Sequence, residues 1–283
     1  MLVLLGPSFA GGEADYQRLS KVTGMVAYDL RARLKPGMWG LVKALADELE
    51  AERLAASLKS EGFPIVVVAR EVASDPERPI VALKGLRIEG QELTLELRER
   101  VMQVPVAALC CIVRGEAQVG KGARSAGGAG ATSSATFRAV VPNANDLQVF
   151  RESVPASSFE AFAAADLHFH SVHWIARIDA RSFDFRTLGI GAASQAGGLD
   201  TLVDRLALLA RVRVDRAARA SSISSFTQQA ARGVTPHSVP PNASMSQRAR
   251  EISGDERFDP YSRVVGEAER LLAADLAARA GQA

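Results

Sequence analysis

Short apolar runs alternate with amphipathic segments over the first 73 residues of the chain. Leu2–Leu5 and Ile65–Val68 are continuous apolar runs, which is typical of strands buried on both faces. Between them, apolar residues at helical spacing predict three helices and one further strand, with Asp47 as the N-cap of the last helix and Asp15 as the cap of the first. The pattern predicts a compact β-α-α-β-α-β unit over residues 1–73.

Strand-type patterning dominates residues 79–220. Leucines alternate with polar residues at 91–98, and Glu89-Gly90 ahead of them favours a hairpin turn. Further strands are predicted at 101–113, 137–141, 167–178 and 183–185, with a bulge or an edge at Pro105, and a closing helix is predicted at 200–212. The Gly-, Ala- and Ser-rich stretch 120–134 predicts a mobile loop. This order predicts an antiparallel β-rich domain closed by a helix, which resembles the pleckstrin-homology-like arrangement.

The C-terminal part of the chain divides into a polar stretch and an amphipathic one. Residues 221–257 are rich in Ser, Gln, Arg and Pro without apolar periodicity, which predicts a disordered linker. Residues 258–283 carry apolar residues at helical spacing and predict an amphipathic helix. The predicted fold class is therefore α+β: a small unit, a β-rich domain, a flexible linker and a terminal helix.

The terminal helix is apolar enough to require a docking surface. Its own domains, a second copy of the chain and the groove of a partner protein are the three alternatives. The apolar residues predicted to contact a partner are Tyr261, Val264, Val265, Leu271 and Leu272.

Residues 1–70 carry a set of local signals in the order found in one known domain. Thr23-Gly24 separates the first two predicted helices, and the acidic-apolar-basic triplet Asp29-Leu30-Arg31 follows. With the segment at 50–68, they resemble the C-terminal domain of the bacterial ribosomal large-subunit stalk protein. The resemblance implies that the paired helices form a basic surface that docks translation GTPases. Only Arg31 keeps the expected charge, which makes Arg31 a candidate partner-binding residue and implies a different partner.

Asp166, His168 and His170 stand at alternate positions of a strand-type segment and would share one face, which is a metal-ligand geometry. The segment is also similar to the opening motif of the polymerase-and-histidinol-phosphatase metal-dependent phosphoesterases. That resemblance implies further ligands from later strands, whereas only His173 and His237 remain among the later histidines. An exposed polar strand end is therefore the favoured interpretation, with a metal site as the alternative.

Two glycine-rich segments imitate cofactor-binding motifs. Residues 115–122 follow a strand and approach a phosphate-binding loop, but Gly122 stands where magnesium binding needs Ser or Thr, and no helix-forming sequence follows. Residues 189–194 imitate the dinucleotide fingerprint without its third small residue or its β-α-β context. The sequence therefore predicts neither catalytic residues nor a cofactor.

Composition narrows the class of protein. A formal charge of +2 and an aromatic content of 6% argue against a nucleic-acid partner. No apolar window is long enough for a membrane span, and the N-terminus lacks the basic region of a signal peptide, which predicts a cytoplasmic location. Cys110 and Cys111 are expected to be free thiols that point to opposite faces of a strand in a reducing compartment.

The function expected from these features is that of a non-enzymatic cytoplasmic adaptor or regulatory protein that binds another protein. Two alternatives stay open. One is a metal- or ligand-binding protein or enzyme that uses Asp166, His168 and His170. The other is a structural subunit that self-assembles through the terminal helix.

Overall fold

The computed structural model describes residues 1–120, 159–192, 194–216 and 255–281, and it has the predicted α+β fold class. The helices are α1 (Glu13–Thr23), α2 (Ala27–Arg33), α3 (Glu48–Ser60), α4 (Gln195–Ala210) and α5 (Asp255–Ala280). The strands are β1 (Leu2–Leu5), β2 (Gly40–Ala44), β3 (Ile65–Val68), β4 (Ile80–Leu83), β5 (Gly85–Glu89), β6 (Glu92–Glu96), β7 (Val101–Pro105), β8 (Leu109–Gly120), β9 (Phe159–Phe169), β10 (Ile175–Asp179) and β11 (Arg213–Asp215).

The first unit has the predicted order β-α-α-β-α-β. Its strands form an antiparallel sheet, sheet A, in the order β2-β1-β3, and α1, α2 and α3 cover one face of it. Asp47 caps α3 as predicted, because its carboxylate accepts the backbone N–H groups of Leu49 and Glu50. The prediction for α1 was wrong in position: Gly12 is the N-cap, and Asp15 lies inside the helix and accepts the backbone N–H of Gly12.

The β-rich part contains two sheets. Sheet B has the order β11-β8-β9-β10-β4, in which β8, β9 and β10 are antiparallel and the two edge strands run parallel to their neighbours. Sheet C is the meander β5-β6-β7, and its first hairpin turns at Gly90 with φ of 61°, as predicted. Helix α4 and sheet C share one apolar cluster with a face of sheet B. The likeness to a pleckstrin-homology-like arrangement stays a prediction.

Three strand predictions were wrong in this part. The predicted strand at 167–178 is divided between the end of β9 and β10, with a loop at 170–174 between them. The apolar run at 101–113 is divided between β7 and β8, because β7 ends at Pro105, which has no N–H to donate, and a 3₁₀ turn at Val106–Ala108 carries the chain from sheet C to sheet B. The segment at 183–185 is a loop that leads into a 3₁₀ turn at Phe185–Leu188, where Asp184 accepts the backbone N–H of Arg186.

Helix α5 packs between sheet A and sheet B. One apolar cluster joins the three elements, and it consists chiefly of Leu2, Leu4, Leu41, Val66 and Val68 from sheet A, Cys111, Val113, Ala117 and Ala164 from sheet B, and Phe258, Tyr261, Val264, Val265 and Ala268 from α5. Alternation along β1 sends Leu2 and Leu4 toward this cluster and Val3 and Leu5 toward α1–α3. The predicted terminal helix is therefore docked on its own chain, and it joins the two units in one core. Most of the predicted linker, and the predicted strand at 137–141, lie outside the described residues.

We expect Val265→Ala to lower the free energy of unfolding by about 2 kcal/mol, because Val265 is 0% exposed between the two sheets and its truncation leaves a cavity. Val101→Ala is the matched control, since Val101 is 64% exposed, and its effect should stay within about 0.5 kcal/mol. Urea unfolding of the full chain measures both values. Equal values for the two variants would mean that α5 is not packed in the core.

Candidate functional site

Polar side chains, most of them buried, line the contact between sheet B and α5. Asp166 and His168 lie on β9, Arg177 lies opposite Asp166 on β10, and Asp259 and Ser262 come from α5. Asp166, His168 and Ser262 are 0% exposed. We name these five residues the α5 seam. The alternation that predicted a shared face for Asp166 and His168 is confirmed, and α5 covers that face.

The ionised groups of the α5 seam form ion pairs and hydrogen bonds with one another. Arg177 donates from Nε to Oδ1 of Asp166 at 2.7 Å and from a terminal nitrogen to Oδ2 at 2.8 Å. The same guanidinium forms an ion pair with Asp259 at 2.8 Å and lies over the ring of Phe258. Burial alone would raise the pKa of Asp166, but the charge and hydrogen bonds of Arg177 hold that pKa below its ordinary value. One guanidinium therefore holds β9, β10 and α5 together.

The hydrogen bonds of Ser262 fix the tautomer of His168. A carboxylate only accepts, so Ser262 Oγ donates its proton to Asp166 Oδ2, at 2.6 Å. Ser262 Oγ is then the acceptor for His168 Nε2, which lies 3.0 Å away. This assigns the Nε2–H tautomer and leaves the lone pair of Nδ1 without a hydrogen-bond partner among the described residues.

The imidazole of His168 lies against the backbone of α5 at Gly266. A Cβ at position 266 would overlap the ring, with Nδ1 as its nearest atom. Glycine at this position is therefore what allows the helix to approach β9 closely enough for Ser262 to reach both Asp166 and His168.

His168 is neutral in the folded chain. Burial lowers its pKa from 6.5 to about 3, and the positive charges of Arg78, Arg177 and Arg263 act in the same direction against the opposing effect of Asp166. A proton on this ring would add a positive charge to a site whose two carboxylates, Asp166 and Asp259, are already paired with Arg177.

Serine, histidine and aspartate are the residue types of a catalytic triad, but the hydrogen bonds among them here run in a different order from those of a triad. A general base must present an acceptor nitrogen to the serine hydroxyl, and the carboxylate must hold the other ring nitrogen. In the α5 seam, Nε2 donates to Ser262, while Asp166 accepts from the same hydroxyl. The hydroxyl proton of Ser262 is held in the hydrogen bond to Asp166, and the two hydrogen bonds of Ser262 orient α5. The role of the three residues is therefore structural.

The structure separates the three residues predicted as metal ligands. Asp166 and His168 are buried and hydrogen-bonded in the α5 seam, whereas His170 lies one residue beyond β9 and is exposed. The favoured interpretation, an exposed strand end, was wrong for Asp166 and His168 because a helix distant in sequence covers them. Within the described ranges, no group of three His, Cys, Asp or Glu side chains is placed to hold a metal ion.

The residues predicted to bind a partner lie in two different environments. Arg31 is exposed on α2, forms an ion pair with Glu13 and lies over the ring of Tyr16. The α5 residues of this set are mostly interior: Tyr261, Val264 and Val265 are buried, Leu272 is partly buried, and Leu271 is 37% exposed. The phenol of Tyr261 donates to buried Asp215 at 2.9 Å. The deeper apolar positions of α5 are thus occupied by the chain itself.

Further polar contacts tie the rest of α5 to both units. Glu267 pairs with Arg78 at 2.9 Å, and both side chains are nearly buried. Glu269 accepts from the indole Nε1 of Trp39 at 2.8 Å and from Arg213 at 2.7 Å. Trp39 precedes β2 of the first unit and Arg213 begins β11 of sheet B, so one carboxylate bridges the two. Sequence reasoning missed these residues because no local pattern marks a contact between positions so far apart.

Comparison with known proteins found no matching family model, no similar curated protein and no similar solved structure. Of the helices in the described ranges, none combines the length and the apolar character needed to cross a membrane.

We expect Gly266→Ala to destabilise the fold by about 1 to 3 kcal/mol, because the added methyl group overlaps His168 in a packed interior. The sign of this change in unfolding free energy is informative, because replacing glycine by alanine inside a helix ordinarily stabilises a protein by about 1 kcal/mol. Gly191→Ala is the control, because a Cβ there meets nothing within 4 Å. In a His168→Ala background the cost of Gly266→Ala should disappear, as measured by a double-mutant cycle of unfolding free energies. Additive effects would contradict the contact.

Acid should weaken the fold before the carboxylates titrate. The unfolded chain binds a proton at His168 below about pH 6.5, whereas the folded chain does not until about pH 3, so stability falls as pH falls through this window. Between pH 6.5 and 4.5 the expected loss from this residue is about 2 to 3 kcal/mol. His168→Gln keeps a donor for Ser262 and removes the titration, so its urea-unfolding free energy should vary less over this range. Parallel pH profiles for the two proteins would contradict a neutral buried His168.

Proposed function

We propose that the protein is a non-enzymatic cytoplasmic adaptor or regulatory protein, and that it binds another protein through the corner between α1 and α2. The observation that carries the proposal is the exposure of two large apolar side chains there: Tyr28 is 77% exposed and Val26 is 65% exposed. Together with Arg31 they form what we name the α1–α2 corner. Aromatic and arginine side chains are the residues that most often dominate binding energy at protein interfaces.

The geometry of α2 supports a shared binding face. Tyr28 and Arg31 are three residues apart in a helix, which places them on one side of it. Leu30 between them is 0% exposed and packs into the first unit, so the helix is anchored from its opposite side. The partner chemistry that fits is an apolar pocket for the Tyr28 ring with acidic residues at its rim.

Charges around the α1–α2 corner are mainly positive. Besides Arg31, the exposed charged residues of α1, α2 and the segment after α2 include the basic Lys21, Arg33 and Lys35 and the acidic Glu13 and Asp29. Opposite charge on a partner would raise the association rate and fix the orientation of docking. The resemblance to the stalk-protein domain implies the same pair of helices as a docking surface.

The role of α5 in this proposal differs from the one expected from sequence. A partner that took Tyr261, Val264 and Val265 would have to remove them from the core and break the α5 seam. Withdrawing these side chains would expose buried apolar surface to water, which costs about 25 cal/mol for each Å² exposed. We therefore assign α5 to holding the two units together and the partner contact to the first unit.

The test is an affinity capture from the native cytoplasm with the full chain, followed by mass spectrometry. A partner recovered near one-to-one should lose at least about 30-fold in affinity when Val26→Ser and Tyr28→Ala are combined, because a central tyrosine contributes about 2 kcal/mol or more. Leu208→Ser is the matched control, since Leu208 is 82% exposed on α4, and it should retain the partner.

Two results would overturn this assignment. Retention of the partner by the corner variant, with loss in Leu208→Ser, would move the interface to α4. Absence of any near-stoichiometric partner with the unaltered chain would remove the adaptor proposal. Circular dichroism of each variant establishes that the loss does not come from unfolding.

A further inference from the structure

Strand β3 is an edge strand of sheet A, because the strand order is β2-β1-β3. The N–H of Gly6 donates to the carbonyl of Pro64 at 2.6 Å, and with the register of β1 against β3 this places the bonds to β1 at Pro64 and Val66. The residues between and beyond them, Ile65 and Val67, therefore direct their backbone N–H and C=O groups away from β1. No hydrogen bond joins these outward groups to another residue in the described part of the chain.

A groove of about 410 Å³ lies along this edge. Helix α3 packs on one face of sheet A and α5 on the other, so the two helices form its walls, and Val66 and Val67 form its floor. Val67 is partly exposed there, whereas Ile65 is covered. Lys59 of α3 and Asp275 of α5 join the two walls by an ion pair at 3.1 Å, with side chains 38% and 34% exposed. An ion pair this exposed contributes little to stability, so Lys59 can take another carboxylate as its partner.

The wall formed by α3 is complementary in charge to a copy of itself. The residues of α3 that line the groove are Glu52, Ala55, Ala56 and Lys59, and their spacing places them on one face of the helix. The centre of this set falls between the two alanines. When two such helices pack antiparallel about that centre, Glu52 of each copy lies opposite Lys59 of the other. Among the described residues, Glu52 has no ion-pair partner of its own.

We propose that the chain forms a two-fold dimer through the β3 edge, in which β3 pairs antiparallel with β3 of a second copy and α3 packs antiparallel against the second α3. A two-fold axis brings the same patch of both copies together. With the axis at Val66, Ile65 of one copy lies opposite Val67 of the other, so the outward N–H and C=O groups of both copies form hydrogen bonds. The α1–α2 corner takes no part in this contact, so the dimer goes beyond the proposed adaptor function.

The dimensions of the two kinds of contact agree. Paired strands lie about 4.8 Å apart, whereas the axes of packed helices lie about 8 to 10 Å apart. Helix α3 lies over both β3 and β1, set back from the edge, so the two copies of α3 are farther apart than the two copies of β3. Ala55 and Ala56 are small enough for the helices to approach closely.

The charge pattern favours a second copy over a strand from a different protein. Any extended segment would satisfy the backbone groups of β3, because those hydrogen bonds do not depend on the side chains. The match of Glu52 with Lys59 is between two copies of the same helix. Exchange of Lys59 from Asp275 to Glu52 of the second copy also frees the edge strand for pairing.

The test measures the dissociation constant of the dimer by sedimentation equilibrium of the full chain over a concentration series. Glu52→Lys and Lys59→Glu each place like charges at both symmetric pairs, so each variant alone should raise this constant by about 100-fold or more. An equimolar mixture of the two variants should form a heterodimer, because both pairs in it again have opposite charges. Arg53→Glu is the matched control: Arg53 is exposed on α3 outside the groove, so this variant should dimerise like the unaltered chain.

Hydrogen exchange separates pairing of the strands from contact through the helices alone. The backbone N–H of Val67 should exchange about tenfold more slowly, or less, in the unaltered dimer than in the Lys59→Glu chain, because it then donates to the second copy. Equal exchange rates in the two proteins would contradict the pairing of β3.

The proposal fails if the unaltered chain stays monomeric over the whole series, if either reversed variant dimerises within about threefold of it, or if the mixture forms no heterodimer. A monomeric chain whose captured partner protein is lost in Lys59→Glu would assign the groove to a different protein and overturn the dimer as well. Glu52 and Lys59 are both exposed, so their replacement is expected to keep the fold, and circular dichroism of each variant checks this.

Discussion

The carboxylate of Asp166 cannot be buried unless α5 is in place. A charge removed from water requires an opposite charge and hydrogen bonds that satisfy its lone pairs. Arg177 on the neighbouring strand provides the charge, and Ser262 on α5 provides a hydroxyl at 2.6 Å. Asp259 on the same helix balances Arg177 in turn. The polar groups of sheet B and the position of the helix are therefore mutually dependent.

This dependence sets the position of α5 along and around its axis. Apolar contacts alone are non-directional, and a helix between two apolar faces can slide or rotate at small cost. Hydrogen bonds have narrow limits of distance and angle, so Ser262 reaches Asp166 and His168 in only one register. Gly266, four residues later on the same side, removes the side chain that would keep His168 away. The α5 seam gives specificity, and the apolar cluster around it supplies most of the stabilisation.

Residues that suggest catalysis are used here for architecture. Ser262, His168 and Asp166 are fully buried, and their hydrogen bonds run in the order that holds a helix rather than the order that activates a nucleophile. The side chains that solvent and other molecules can reach lie elsewhere, at places where regular secondary structure is interrupted. The exposed Tyr28 lies beside the break between two helices, and Cys110 is the extra residue of a bulge in β8.

The amino-acid sequence by itself determined the elements whose signals are local. The β-α-α-β-α-β order, the Asp47 cap, the turn at Gly90 and the shared face of Asp166 and His168 all follow from periods and caps within one segment. Only the tertiary structure decided that this face is interior, since Ser262 lies 96 residues from Asp166. It also decided where α5 docks. The physical reason is that a residue pattern encodes which side chains share a face of their own element, while the partner of that face depends on how distant elements pack.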